Sequence, residues 1–324
     1  MHNILTIFIA AIPLIVINYQ FEVPKVFAFL ILSFILTIVL IINFKKITFY
    51  KWDRYYLLWL LTLLVSGLLG NDPVTSILGG SYRHQGLIFF FGFYLVIKYL
   101  NILTQKQKTT LYKYVAVSVL IEALFVVFGF KLGTIGEINA VAGFIAIGIY
   151  FVAISFPKLF LTVPIIGILI NFSKSGFLAL LPYVFKKINI FLIVSIVVVA
   201  FIAKPINTNS QFESRGVIWK HAIEIIKDKP ILGHGAESNE VQYDKKFLEK
   251  NMPLLNLRID RAHNLFLDIT IWSGLVGLCF FVMFLCEVFK SISFERRQVL
   301  LSFMVYSMFQ PISVVHWILL ALIV

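Results

Sequence analysis

Six histidines are spread along the 324 residues. Five of them, His84, His221, His234, His263 and His316, fall in or beside segments that the hydropathy pattern puts on one face, near Arg83, Arg215, Arg258 and Arg261. Imidazole beside guanidinium is material for general-base chemistry on an anionic substrate. A membrane interface also tolerates both residue types better than the bilayer does, so a plain interface fits the same pattern. His263 opens an apolar helix within Arg261-Ala262-His263-Asn264-Leu265-Phe266-Leu267-Asp268. A helix N-terminus disfavours imidazolium and leaves a neutral ring able to accept a proton, although an interfacial cap reads equally well there. Asp268, about a turn further in, can orient a neighbour or pair with a basic residue on another helix.

Arg215, between Ser214 and Gly216, starts an amphipathic helix. A guanidinium and free backbone N–H groups there make an anion site, and a diphosphate is the natural guest. Lys174, in Ser173-Lys174-Ser175-Gly176, and Arg83, in Gly80-Ser81-Tyr82-Arg83-His84-Gln85-Gly86, add positive charge at the same face, as do Arg258 and Arg261. Each of these taken singly also reads as a snorkelling or topology residue. Asp-x-Asp and His-x-x-x-His are absent and no Gly-rich loop follows a strand, so neither a metal nor a nucleotide cofactor is expected.

The elements that must position these residues are membrane helices. Hydrophobic residues make up 60% of the chain, charged residues 14%, and mean hydropathy is +0.93. Apolar runs of roughly 16 to 25 residues recur, each about long enough to cross a ~30 Å hydrocarbon core. Spans are expected at 4–19, 26–44, 55–69, 86–100, 114–130, 140–156, 159–172, 175–186, 188–203, 263–289, 299–309 and 317–324. The fold class is therefore an all-α polytopic bundle of about 11–12 transmembrane helices. N-terminal helices fill 1–203, one long structured loop fills 204–262, and C-terminal helices fill 263–324. With the N-terminus inside, inner loops hold 14 Lys and Arg against 4 in short outer loops (Lys25, Arg83, Lys131, Lys174), so the long loop lies outside. The net charge of +12 is thus mostly orientation and does not call for nucleic acid. Within the loop, Glu213 to Lys227 reads as an amphipathic helix on the membrane surface, Leu232-Gly233-His234-Gly235 as a flexible turn, and Asn239 to Glu249 as a second polar helix. Cys279 and Cys286 read as small core residues.

Taken in order, Ser173-Lys174-Ser175-Gly176, Arg215-Gly216-x-x-Trp219, Pro230-Ile231-Leu232-Gly233-His234-Gly235 and Ala262-His263-Asn264-x-x-Leu267-Asp268 with Gly274 and Gly277 resemble the O-antigen ligase and O-antigen polymerase family. Pro24-Lys25, Arg83-x-Gln85-Gly86 and Asn139-x-x-Ala142-Gly143 are similar to its N-terminal half, and the likeness is densest over about 139–286. The resemblance implies a membrane glycosyltransferase that moves a glycan from undecaprenyl diphosphate to an acceptor hydroxyl on a lipid, glycan or protein. This would occur on the outer face of the bacterial inner membrane without a metal. It gives His263 the acceptor's proton and Arg215 the diphosphate, with Asn139, His234, Asn264 and Asp268 in support. Lys174 stands where the family commonly has Arg, and Glu137 where a second Asn is often seen. A transporter or flippase, or a non-catalytic partner for lipid-linked glycans, is the alternative. A transporter would be expected to show two similar halves, and no such repeat is seen.

Overall fold

The computed structural model describes residues 2–18, 20–184, 215–250 and 259–324. The expected span at 188–203, Ser214 and Arg258 lie outside them. The described residues hold fourteen α-helices and no strand. Each of the eleven remaining expected spans coincides with a helix. Arg215–Asp228 and Asn239–Glu249 match the two loop helices, and Pro73–Leu78 is additional. That short helix had a legible start: Asp72 accepts from the Thr75 N–H and Pro73 fills the first turn.

Among the described residues four helices are long and apolar enough to cross a membrane: Glu22–Ile42, Gln105–Val127, Ile138–Ser155 and Leu265–Ser291. Others fall short of the expected spans. The first helix is only His2–Ala11, because Ile12-Pro13-Leu14 tightens into a 3-10 turn before Ile15 turns extended. The run 159–172 divides into a 3-10 turn, Lys158–Leu161, and the helix Thr162–Asn171. Cys279 and Cys286 are exposed, not core residues; helical periodicity turns both outward from Leu265–Ser291.

Leu265–Ser291 packs along Lys51–Leu68. Between them an aromatic core forms from Trp59, Phe90, Phe281 and Trp317, with ring centroids 4.8 Å apart for Trp59 and Phe281 and 5.4 Å for Phe90 and Trp317. These tilted and edge-on contacts suit the ring quadrupoles and stiffen the frame beneath the polar end. Lys25, expected as a loop charge, is instead fully buried in Glu22–Ile42. Its Nζ donates to the carbonyls of Ile15 (2.7 Å), Phe21 (2.8 Å) and Thr134 (2.6 Å), tying two loops together.

The segment Pro230–Gly235 departs from the flexible turn expected. Leu265–Ser291 is broken at Gly274, where φ is 66° and ψ −172°. The break leaves backbone groups without helical partners, and this segment supplies them. His234 N donates to Ile271 O at 2.7 Å and Gly235 N to Trp272 O at 2.9 Å, while Leu275 N donates to Pro230 O at 2.8 Å. Non-helical backbone at a membrane helix survives only where it is satisfied in this way. His234 itself is buried, its Nε2 at 3.0 Å from Ile225 O, and it locks this segment to Arg215–Asp228. That helix in turn packs on Leu265–Ser291, with Ile218, Ala222 and Ile225 buried and Ile223 left exposed.

Candidate active site

Loop 79–86 meets the segments 235–237 and 260–263, through Gly80 to Glu237 and Arg83 to Asp260. Glu237 staples them. It accepts from Gly80 N at 2.5 Å and forms a buried ion pair with Arg261, whose guanidinium lies 4.8 Å above the Trp272 ring. Removing one member of a buried pair strands the other charge, at a cost of about 3 kcal/mol or more. Glu237→Ala is therefore expected to lower the melting temperature in detergent, and Glu237→Leu combined with Arg261→Met to recover much of the loss. No recovery in the pair would mean that the staple acts through something other than the orphaned charge.

Asp268 fixes the approach to His263. Its Oδ1 accepts from Ala262 N (2.7 Å) and from Asn239 Nδ2 (2.7 Å), and Asn239 Oδ1 accepts from Trp272 Nε1. Trp219 Nε1 donates to Ala262 O at 2.9 Å. Asn264 caps the helix, its Oδ1 accepting from the N–H groups of Phe266 and Leu267. His263 thus precedes the cap in a left-handed conformation, φ 54°.

The ring of His263 is half-buried, its Nδ1 has no hydrogen-bond partner, and the Gln310 amide bonds it. Burial, followed by the nearby Arg215 cation, lowers its pKa to about 4, with Asp260 opposing. The neutral ring expected from the sequence is present for a different main reason, loss of hydration. Arg215 is half-buried as the first residue of Arg215–Asp228, and burial lowers its pKa despite the favourable field of Glu137. Arg83 forms an ion pair with Asp260 through Nε. Burial alone would raise the Asp260 pKa, but Arg83 and Arg261 hold it below the ordinary value. Next to Arg83 a cavity of about 360 Å³ opens, lined by Phe21, Glu22, Tyr82, Arg83 and Glu137 among others. Glu137 is exposed to the cavity, yet the surrounding protein still raises its pKa through lost hydration.

His263, Arg215 and Arg83 are thus brought together. Arg261, Asp268, Asn264 and His234 hold backbone in place around them. Asn139 stands one shell away, bonded to Glu137 and accepting from Ser173 Oγ at 2.8 Å. Lys174 is exposed at the start of Lys174–Val184, and no ion pair joins it to the cluster among the described residues. Two other histidines have structural work: His221 Nδ1 lies 2.8 Å from Val217 O, and His316 bridges Ser313 Oγ (2.8 Å) and Ala140 O (3.1 Å). The carboxylates Glu22, Glu137 and Asp260 and the amide of Gln310 were missed as site residues. Each sits at a helix end or in a loop, where a lone polar residue is unremarkable until the fold assembles four of them. Among the described residues no three His, Cys, Asp or Glu side chains group as metal ligands.

Residues 132–282 match the family model described as O-antigen ligase. An uncharacterized protein of Haemophilus influenzae is 31% identical over 80 residues, a match that takes in 25% of this chain and 20% of that protein. No solved structure matches the chain. The family match takes in the cavity wall at Glu137, Arg215, the helix break and the whole His263 segment, so over just under half of its length this multi-pass membrane chain is similar to the O-antigen ligase family.

Proposed function

We propose that this protein transfers a glycan from undecaprenyl diphosphate to an acceptor hydroxyl at the outer face of the bacterial inner membrane, with its N-terminus in the cytoplasm and residues 204–262 outside. His263 carries the reading: a half-buried, neutral imidazole with an unpartnered Nδ1, beside a guanidinium that no carboxylate pairs with among the described residues. In the reaction the acceptor oxygen attacks the anomeric carbon as its proton passes to His263. The bond from that carbon to the diphosphate oxygen breaks, and its electron pair stays on the diphosphate. Arg215 faces the charge that develops there, and a fixed guanidinium in a poorly hydrated site needs no reorganisation to neutralise it. The proton then leaves His263 for water or the departing diphosphate.

Helix polarity supports the donor side. Glu22–Ile42, Ile138–Ser155, Arg215–Asp228 and Leu265–Ser291 all begin at this cluster, so their positive dipole ends favour an anion. Because Arg83 is already paired with Asp260 and Arg261 with Glu237, we assign the diphosphate to Arg215 and give the other two positioning roles. The polar groups gather at helix ends and not at mid-span, which fits transfer at a surface better than transport through a midplane site.

Arg215→Lys keeps the charge and loses the fork that grips two phosphate oxygens. Its turnover in a proteoliposome transfer assay is expected to fall by roughly 10²-fold, with the acid limb of the pH profile unmoved, because a cation still faces His263. Wild-type turnover in this variant would remove Arg215 from the donor site.

A further inference from the structure

Residues 43–54 carry the chain from Glu22–Ile42 into the first turn of Lys51–Leu68. They lie at the end of the bundle opposite the His263 cluster, about 30 Å away along a helix of 21 residues. Lys45, Lys46, Lys51 and Arg54 are all exposed. Orientation asks only that such charges stay on one side of the bilayer, and it asks nothing of the backbone or of the residues between them. Here both are specified. Phe44 and Phe49 are 63% and 73% exposed and Tyr50 is exposed as well, so rings and cations are interleaved along the segment.

The segment is held from beneath. Lys98, buried in Leu87–Ile102, donates to Thr48 O at 2.5 Å and to Asp53 Oδ2 at 2.8 Å. Its ammonium lies 4.6 Å from the centre of the Phe49 ring and 5.1 Å from that of Trp52. Asp53 Oδ2 also accepts from Tyr50 N at 2.5 Å, and Asn43 O accepts from Lys46 N at 2.8 Å. Asp53 is the one carboxylate of the segment, and Lys98 takes it up. Among the described residues no ion pair therefore neutralises Lys45, Lys46, Lys51 or Arg54. Four like charges kept together on an ordered loop repel one another, and an anion between them removes that cost.

A phospholipid matches this surface in each of its parts. Its phosphate meets the cations, its ester region lies at the depth of the exposed rings, and its acyl chains meet aliphatic side chains. The helix that enters the segment exposes Ile38, Ile41 and Ile42, and the helix that leaves it exposes Leu57 and Leu61. A soluble acidic partner would cover the cations and leave these aliphatic side chains untouched. We propose that residues 43–54 bind an acidic phospholipid, with Lys45, Lys46, Lys51 and Arg54 on its phosphate oxygens and Phe44 and Phe49 among the headgroups. In the orientation proposed above the lipid comes from the cytoplasmic leaflet. The proposal does not rest on the transferase reading, because the segment takes no part in the His263 cluster.

The test introduces Phe49→Trp into the full chain and reconstitutes it in phosphatidylcholine vesicles, with the five native tryptophans as background. Brominated phospholipid that binds beside the new indole quenches the fluorescence it adds. Brominated phosphatidylglycerol is expected to compete there about fivefold better than brominated phosphatidylcholine, the scale of one cation at an anionic surface. Salt at about 1 M, with a screening length of about 3 Å, should lower that preference without any charge substitution. Lys45→Gln, Lys46→Gln, Lys51→Gln and Arg54→Gln combined should remove it. Lys106→Gln, Lys108→Gln and Lys113→Gln combined, three charges at the start of Gln105–Val127, should leave it as in the wild type. Both sets are first checked for the wild-type size-exclusion profile. The proposal is overturned if the two brominated lipids quench alike, or if the preference survives both salt and loss of the four cations. It is also overturned if the Lys106 set removes the preference as fully, which would make it a matter of net charge, or if soluble polyglutamate relieves the quenching, which would mark a soluble acidic partner.

Discussion

His263→Ala is expected to abolish glycan transfer in a reconstituted assay, a loss of at least about 10²-fold and up to 10⁴-fold, the range that positioned general bases supply. The size follows from the surroundings. The imidazole is half-buried, Nδ1 has no partner, and alanine leaves nothing else at that point to accept the proton. The pH profile distinguishes a base from a structural residue. A base works only when neutral, and a pKa of about 4 leaves the ring neutral at every pH above that value. The acid limb of kcat/KM is therefore expected near 4 and not near the ordinary 6.5. With donor bound, the diphosphate brings negative charge beside the ring, which favours imidazolium and moves the limb of kcat upward. Arg215→Ala removes a cation that lowers the His263 pKa, so the limb of kcat/KM should also rise towards 6.5 in that variant. A limb at 6.5 in the wild type, or full activity in His263→Ala, would remove the base role.

Gly274→Ala is expected to prevent folding of the site end, with a cost of up to roughly 3 kcal/mol for the backbone conformation alone. The φ of 66° with ψ of −172° belongs to a region that only glycine enters readily. A Cβ there would also lie 2.0 Å from Ile231 O and 2.5 Å from Leu232 N, backbone atoms that cannot swing aside. Gly233, facing it, meets the same limit, since its Cβ would come within 2.6 Å of Gly274 N. The readout is the monodisperse fraction on size exclusion together with proteolysis of the 230–262 segment. Gly274→Ala should raise cleavage there strongly, whereas Gly216→Ala, with no atom within 4 Å of its Cβ, should not. Equal protease resistance in Gly274→Ala and wild type would mean that the helix can run straight through 274 and that the Pro230–Gly235 segment docks by other means.

The membrane bundle was legible because apolar run length is a local property, and a bilayer reads it without reference to the rest of the fold. The polar loop helices were legible for a similar reason, a 3.6-residue period with Pro230 as a stop. Legibility failed where a contact spans the chain. Nothing near Gly274 says that Pro230 to Gly235 will supply its missing hydrogen bonds, so the run 263–289 reads as an unbroken helix and the segment as a flexible turn. Lys25 reads as a loop charge until Ile15, Phe21 and Thr134 turn their carbonyls on it. Arg83 and Arg261 read as free cations because Asp260 and Glu237, which take them up, have no local mark.

By itself the sequence determined that this chain is a bundle of apolar helices with its charge asymmetrically placed, and that its His263 and Arg215 segments resemble the O-antigen ligase family. Those features depend on residue type, period and order, which are carried along the chain. Tertiary structure alone decided which cations remain uncommitted, why His263 is neutral, and that a cavity lined by Glu22 and Glu137 opens beside Arg83. Pairing and loss of hydration depend on which groups are brought within a few ångströms of each other from positions as distant as 22, 83, 137 and 260, and only the packed helices specify that.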